Sequence, residues 1–296
     1  MVALACELPA QRAQPLARYS TGDLARLIAA HPAAPPVSRS TIWRLLDRHV
    51  LKPWRFRSWL YPRDPDFAAK AGRVLDWYAG VWEGQPLGPH DCVLSADEKT
   101  SIQARGRRHP SRPPGPGAGQ RVEHEYARGG AVAYLAAWDV RVGGVIGRCE
   151  ATTGKAAFGR LVDQVMAEEP YRSAQRVFWI VDNGSSHRGD AAAAEVMAQH
   201  PNVIVVHLPI HASWLNQIEI YFSILQRKVL TPNDFADLAA VEERLQAFAD
   251  LDNDTAVPFN WRFTRADLET RLADLPITDG SATSVPAAMA PLPEAA

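Results

Sequence analysis

The sequence predicts an α/β protein, in which a mixed five-stranded sheet flanked by helices follows a small all-α unit. Two observations carry that prediction. From residue 89 onward, short apolar runs rich in β-branched residues, such as Val177–Val181 and Val203–Leu208, alternate with stretches of helical period. Before residue 62 only helical stripes occur, separated by prolines. With 296 residues and 47% hydrophobic content, the chain can bury the core of one large domain and a small one.

The bulk chemistry narrows the function. A formal net charge of −1 leaves no whole-molecule field for nucleic acid, so such a partner must be held by local basic patches. Cys6, Cys92 and Cys149 are far apart and odd in number, which argues against a disulfide framework or zinc ribbon and fits a reducing cytoplasm. No apolar run reaches membrane-spanning length, and the N-terminus lacks the pattern of a signal peptide, so no membrane partner is expected.

One basic patch lies at the start, where residues 1 to 60 carry nine Lys and Arg against three acids. Ser20 is placed to cap a helix with Leu24, Leu27 and Ile28 inward, and Ser38 to cap a second with Ile42, Leu45 and Leu46 inward. Arg39, Ser40, Trp43, Arg44 and Arg48 then fall on or near the outer face of the second helix, the arrangement that a helix-turn-helix offers to a major groove. A helical hairpin with a solvated basic face is the plainer reading. Arg55 and Arg57 follow in KPWRFRSWLYPR, where arginines interleave with aromatics that can stack on bases or pack on a neighbour. Phe67–Trp82 reads as one amphipathic helix, closed by a turn cluster at Gly84–Pro89. The expected organisation is a helix-turn-helix-type region over 1–62, a linker helix and turn over 63–88, a catalytic domain over 89–272 and a disordered tail over 273–296.

The catalytic domain opens with a brief strand at Val93–Ser95, followed by Asp97. Arg105–Gln120, rich in Arg, Pro and Gly, reads as a loop whose Arg105, Arg107, Arg108 and Arg112 can gather on a DNA backbone or simply be solvated. Strands follow at Ala131–Trp138 and Arg141–Cys149, then a helix over Gly154–Glu168, the Val177–Val181 strand ending at Asp182, an Ala-rich helix and the Val203–Leu208 strand. A last helix from Ser213 buries Leu215, Ile218, Phe222, Leu225 and Val229 on one stripe and carries Glu219 beside it. Asp97, Asp182 and Glu219 form an oxygen-only donor set that suits Mg²⁺ or Mn²⁺ rather than zinc. Two such ions can clamp both oxygens of an in-line phosphoryl displacement. His207 and His211 flank Pro209 without a cysteine pair, so zinc is not expected.

Three strands, a helix, a strand, a helix, a strand and a helix, with acids on the first strand, after the fourth and on the last helix, is the order of a ribonuclease-H-like domain. The segments VLSADEKTSIQA, RVEHEYARGGAVAYLAAWDV, VFWIVDNGSSHRG and HLPIHASWLNQIEIYFSILQRKVL resemble the IS630 family of bacterial transposases, relatives of the Tc1/mariner group. The resemblance covers about residues 89 to 272 and is most specific in the DN-x3-H and LNQIE motifs, whose acids are separated by 36 residues. FNWRFTRADLETRL, from Phe259, also resembles the family's closing segment.

What the resemblance implies is a DDE triad of Asp97, Asp182 and Glu219 holding two Mg²⁺ or Mn²⁺ ions, with Asp182 shared between them. It implies a homodimer that cleaves the ends of a mobile element in double-stranded DNA and joins them to target DNA at TA, at the bacterial nucleoid. Asn183, His187 and Asn216 are the expected supporting residues, and Glu98 is the substitute if Asp97 faces away. Two other readings remain at this level: a helix-turn-helix regulator, and a domesticated transposase derivative without mobility.

Overall fold

The computed structural model describes residues 1–56, 62–184 and 190–274. The chain divides into two compact units, Met1–Leu60 and Tyr61–Ala296.

The N-terminal unit contains α1 (Val2–Ala5), α2 (Thr21–Ala29) and α3 (Arg39–Arg48). Ser20 starts α2 by a reciprocal capping box: its Oγ accepts from Asp23 N at 3.2 Å, and its own N–H donates to Asp23 Oδ2 at 2.8 Å. Ser38 Oγ likewise accepts from Thr41 N at 3.2 Å at the start of α3. Leu24, Ile28, Ile42 and Leu46 close against Tyr19 as a small core, with Leu27 packed at its margin, while Leu45 is only half-buried.

The larger unit begins with α4 (Phe67–Tyr78) and a two-residue hairpin of β1 (Val81–Trp82) and β2 (Gln85–Pro86). The helix therefore stops short of the expected Trp82. Gly80 turns the chain at φ +75° and Gly84 closes the hairpin at φ +76°, both left-handed conformations that glycine adopts without strain. The sheet contains β3 (Asp91–Arg107), β4 (Tyr126–Asp139), β5 (Val145–Glu150), β6 (Arg176–Val181) and β7 (Val203–His207) in the order β5-β4-β3-β6-β7. The β3–β4 and β4–β5 pairs are antiparallel, whereas β3–β6 and β6–β7 are parallel, so the sheet is mixed as expected.

Alternation along the strands sorts two cores. Val93, Val132, Tyr134, Ala136, Trp138, Phe178 and Ile180 face α4, α7 (Ile218–Lys228), α8 (Leu238–Asn253) and α9 (Arg265–Ala273). Leu94, Leu135, Val177, Trp179 and Val181 face α5 (Lys155–Met166) and α6 (Asp190–Gln199). The result is three layers, helices on both faces of the sheet. All five apolar residues of the stripe expected on the last helix are buried, from Leu215 to Val229.

Three further expectations change. β3 does not end near Ser95 but continues to Arg107, pairing with β4 as far as Arg107↔Tyr126 through a bulge at Ser101, φ +57°. Arg105 and Arg107 are thus strand residues, not loop residues. β5 starts at Val145, because residues 141–144 form a turn in which Gly143 lies so close to Val257 and Pro258 that a Cβ there would stand 2.2 Å from Val257 C. Finally, the helix that carries Glu219 is not the last: α8 and α9 follow it, α8 packing on the sheet through buried Val241, Leu245 and Ala249. The tail expected over 273–296 lies outside the described residues from 275 on.

Candidate active site

β3 and β6 run parallel with Ser95 opposite Ile180. Two residues farther along each strand come Asp97 and Asp182, which brings both acids to the carboxyl-end side of the parallel pair, where open α/β sheets present ligands. Asp182 follows the last residue of β6, and its Oδ1 accepts from Gly184 N at 2.6 Å. A Cβ at position 184 would stand 2.7 Å from that oxygen, so a larger residue there would displace the Asp182 carboxylate.

Alternation decides between the adjacent acids of β3. Asp97 pairs with Ala136, on the sheet face covered by α7, whereas Glu98 pairs with Leu135 on the opposite face. Glu219 lies in the first turn of α7. What docks that turn is Ser95, fully buried on the same face as Asp97: its Oγ accepts from Ile218 N at 2.9 Å and donates to Asn216 Oδ1. Asn216 then donates through Nδ2 to Ala96 O at 3.1 Å and to Asp97 Oδ2 at 3.3 Å. From α4, Tyr78 Oη donates to Leu215 O at 2.7 Å. Helix start and first acid are therefore held by one hydrogen-bonded strut.

The electrostatics follow from this placement. Burial pushes the Asp97 carboxyl up to about 7, and the charges of Asp182, Glu98 and Glu219 add to the shift, while the hydrogen bond from Glu98 N opposes it. Burial also raises Glu219, reinforced by Asp182 and opposed by Lys99. Glu219 is solvent-exposed, so its shift counts for less than that of Asp97. Asp97 feels the charges of Asp182 and Glu219, and Glu219 that of Asp182, yet among the described residues no three His, Cys, Asp or Glu side chains stand within joint reach of a metal ion. Coulomb coupling acts over longer distances than the 2.0–2.6 Å or so of a metal–oxygen bond, so closing the trio on a cation requires side-chain rotation, for which exposed Glu219 has room. The donor set itself, all carboxylate oxygen in a region of excess negative charge, fits Mg²⁺ or Mn²⁺.

The other expected residues separate into groups. Asn183 donates to Leu208 O at 2.5 Å, tying the loop after β6 to the end of β7. His187 and Arg57 lie outside the described residues. Arg39, Ser40, Trp43, Arg44, Arg48 and Arg55 are all exposed on the N-terminal unit, with Trp43 half exposed at 50%. Arg105 and Arg107 lie over the Tyr126 ring; Arg107 also donates to Asn233 O at 2.8 Å and Glu123 O at 2.7 Å, and Arg108 pairs with Glu125 at 3.3 Å. Ser95, Tyr78 and Lys99 are the site's neighbours that sequence reasoning missed. For Ser95 there was a signal, a polar residue on a core-facing strand position.

Sheet order and layers define a ribonuclease-H-like domain. Residues 92–242, just over half of the chain, match the model for DDE superfamily endonucleases, and the chain belongs to that family. The pre-cleavage Mos1 transpososome is similar in fold, with 17% identity, TM-score 0.53, and 88% of this chain and 80% of that chain covered. The mariner Mos1 paired end complex with Mg gives 18% identity, TM-score 0.52 and the same coverages of 88% and 80%. Among curated proteins none matches the sequence.

Proposed function

We propose that this DDE endonuclease is a DNA transposase of the IS630 kind, cutting the ends of a mobile element and joining them to target DNA. The observation that carries this reading is the placement of Asp97 and Asp182 just past the parallel pairing of β3 and β6, beside the first turn of α7 that carries Glu219 and is docked by Ser95. The Mos1 assemblies, one of them with Mg, support the same class of partner and cofactor.

Asp97, Asp182 and Glu219 are the residues that would hold Mg²⁺ or Mn²⁺, two ions per site. Bound there, the ions supply activation of the attacking oxygen and stabilisation of the leaving one. The chain's own contribution is positioning. Asn216 fixes one Asp97 oxygen, Gly184 N fixes one Asp182 oxygen, and the Ser95 hydroxyl sets the start of the helix that carries Glu219. Both steps, cleavage by water and joining by the freed 3′-hydroxyl, are in-line displacements at phosphorus, so one set of carboxylates serves both. Residues 1–62 would bind element ends through the exposed face of α3, residues 63–88 would link, and residues 89–272 would act on the DNA. A homodimer would pair two ends, in the bacterial cytoplasm.

Incubation of the purified protein with a duplex bearing its element end and Mg²⁺ should give strand cleavage at the end. Asp182→Asn should lower that rate by more than about a hundredfold while duplex binding persists. An Asp182→Asn protein that cleaves at the wild-type rate overturns the assignment.

A further inference from the structure

Beside the acids, β3 and the segment after α7 enclose a groove of about 410 Å³. Its charge is segregated. Lys99, Arg105 and Arg107 line it, and among the described residues no acidic side chain does, although the chain as a whole is slightly negative. Lys99 marks the junction with the active site: it lies on the same strand face as Asp97, two residues on, and its charge acts on Glu219. It is half-buried and, among the described residues, has no ion pair within 4 Å. Arg105 is half-buried too, its guanidinium held by Gln103 Oε1 at 3.0 Å and over the Tyr126 ring.

The groove is rigid for reasons visible in its hydrogen bonds. Asn233, from the segment after α7, donates to Gln103 O at 2.7 Å and accepts from Arg105 N at 3.1 Å, so the two walls are stapled together. The Ser101 bulge turns the strand at the same place. A preformed, polar, purely cationic channel that continues from a cluster of carboxylates matches a polyanion of which one phosphate sits at the acids and the next ones at the cations.

We propose that this groove is the track for the phosphodiester backbone next to the scissile bond, with Lys99 as the phosphate-contacting residue nearest the acids and Arg105 as the next. The proposal rests on the DNA-cleaving reading above and adds the path and one contact residue, Lys99.

The test is the salt dependence of binding to a short labelled duplex, measured in EDTA so that cleavage does not intervene. Lys99→Gln and Arg105→Gln are compared with Lys155→Gln, which removes an exposed charge from α5 on the other face of the sheet. Each groove variant should weaken binding several-fold and reduce the slope of log K against log salt by about one, and the double variant by about two, with Lys155→Gln unchanged. Unchanged slopes for Lys99→Gln and Arg105→Gln, or an equal loss in Lys155→Gln, overturn the track. A Lys99→Gln protein that binds Mn²⁺ more tightly but keeps its salt slope also overturns it, because Lys99 then only offsets the charge of Glu219. Failure of the transposase reading is seen separately, as a wild-type protein that does not cleave its element end.

Discussion

Asp91 and Asp97 stand six residues apart on β3, both sheltered from water, and have opposite chemistry. Asp91 is fully buried at its side chain and paired with Arg176, with Nε to Oδ1 at 2.8 Å and Nη2 to Oδ2 at 2.8 Å, which holds its carboxyl below the usual carboxylate range. The Arg176 guanidinium in turn lies 3.9 Å from the Trp82 ring centroid. Asp97 has no cationic partner, feels the charges of Asp182, Glu98 and Glu219, and is driven by burial and by them up to about 7. One strand thus carries a structural acid at the start of its parallel pairing and a chemical acid beyond the other end. The lesson is that burial alone does not mark function; burial without compensation does.

The largest effect on activity should come from Asp97→Asn, which removes a carboxylate ligand: Mg²⁺-dependent cleavage should fall by more than about a hundredfold. The same change should leave the metal-free fold intact or stabilise it by on the order of 1–2 kcal/mol above pH 7, since it deletes an uncompensated charge. Asp91→Asn should do the reverse. Breaking its buried pair should cost about 3–5 kcal/mol in denaturant unfolding, while cleavage per folded molecule stays near wild type. If both variants lose stability equally, the contrast between the two aspartates is wrong.

Next in size is the strut. Ser95→Ala and Asn216→Ala should each lower cleavage about tenfold to a hundredfold and raise the Mn²⁺ concentration needed for half-maximal rate, because both groups aim Asp97 or Glu219 without touching substrate. Asn216→Asp should not rescue, since it adds another negative charge beside Asp97. A cleavage rate that falls only in proportion to lost folded protein would reduce the strut to a packing role.

The smallest effect is on pH dependence. Asp97 has a folded value near 7 against an ordinary 3.8, so its contribution to metal-free stability is fully present below about pH 4 and is lost as pH rises through 7. Asp91, held low by Arg176, contributes above its ordinary value and loses that contribution as acid pulls pH below it. Thermal unfolding in EDTA should therefore show a decline between about pH 4 and 7 that disappears in Asp97→Asn, and Mg²⁺ should raise the wild-type midpoint more at pH 8 than at pH 5.5.

Much of this architecture could be read from residue patterns, because alternation and helical stripes report burial directly. The caps at Ser20 and Ser38, the stripe from Leu215 to Val229 and the strands that end at Val181 and His207 all follow from local chemistry. The missed features depend on partners distant in sequence. The RGR stretch of β3 is strand only because β4 pairs with it, and polar side chains hid that pairing. α8 fully buries one residue per turn, Val241, Leu245 and Ala249, with Leu238, Ala240 and Phe248 only partly covered. At the site, residue types pointed to the three acids, but the bonds from Ser95 and Asn216 span more than a hundred residues of chain and have no local signature.

The most direct measurement is Mn²⁺ binding by the purified protein and by Asp97→Asn, Asp182→Asn and Glu219→Gln, followed by calorimetry or electron paramagnetic resonance. Joint coordination predicts tight binding to the wild type and at least about a tenfold loss in each of the three variants. Wild-type affinity retained by any one of them contradicts a shared site.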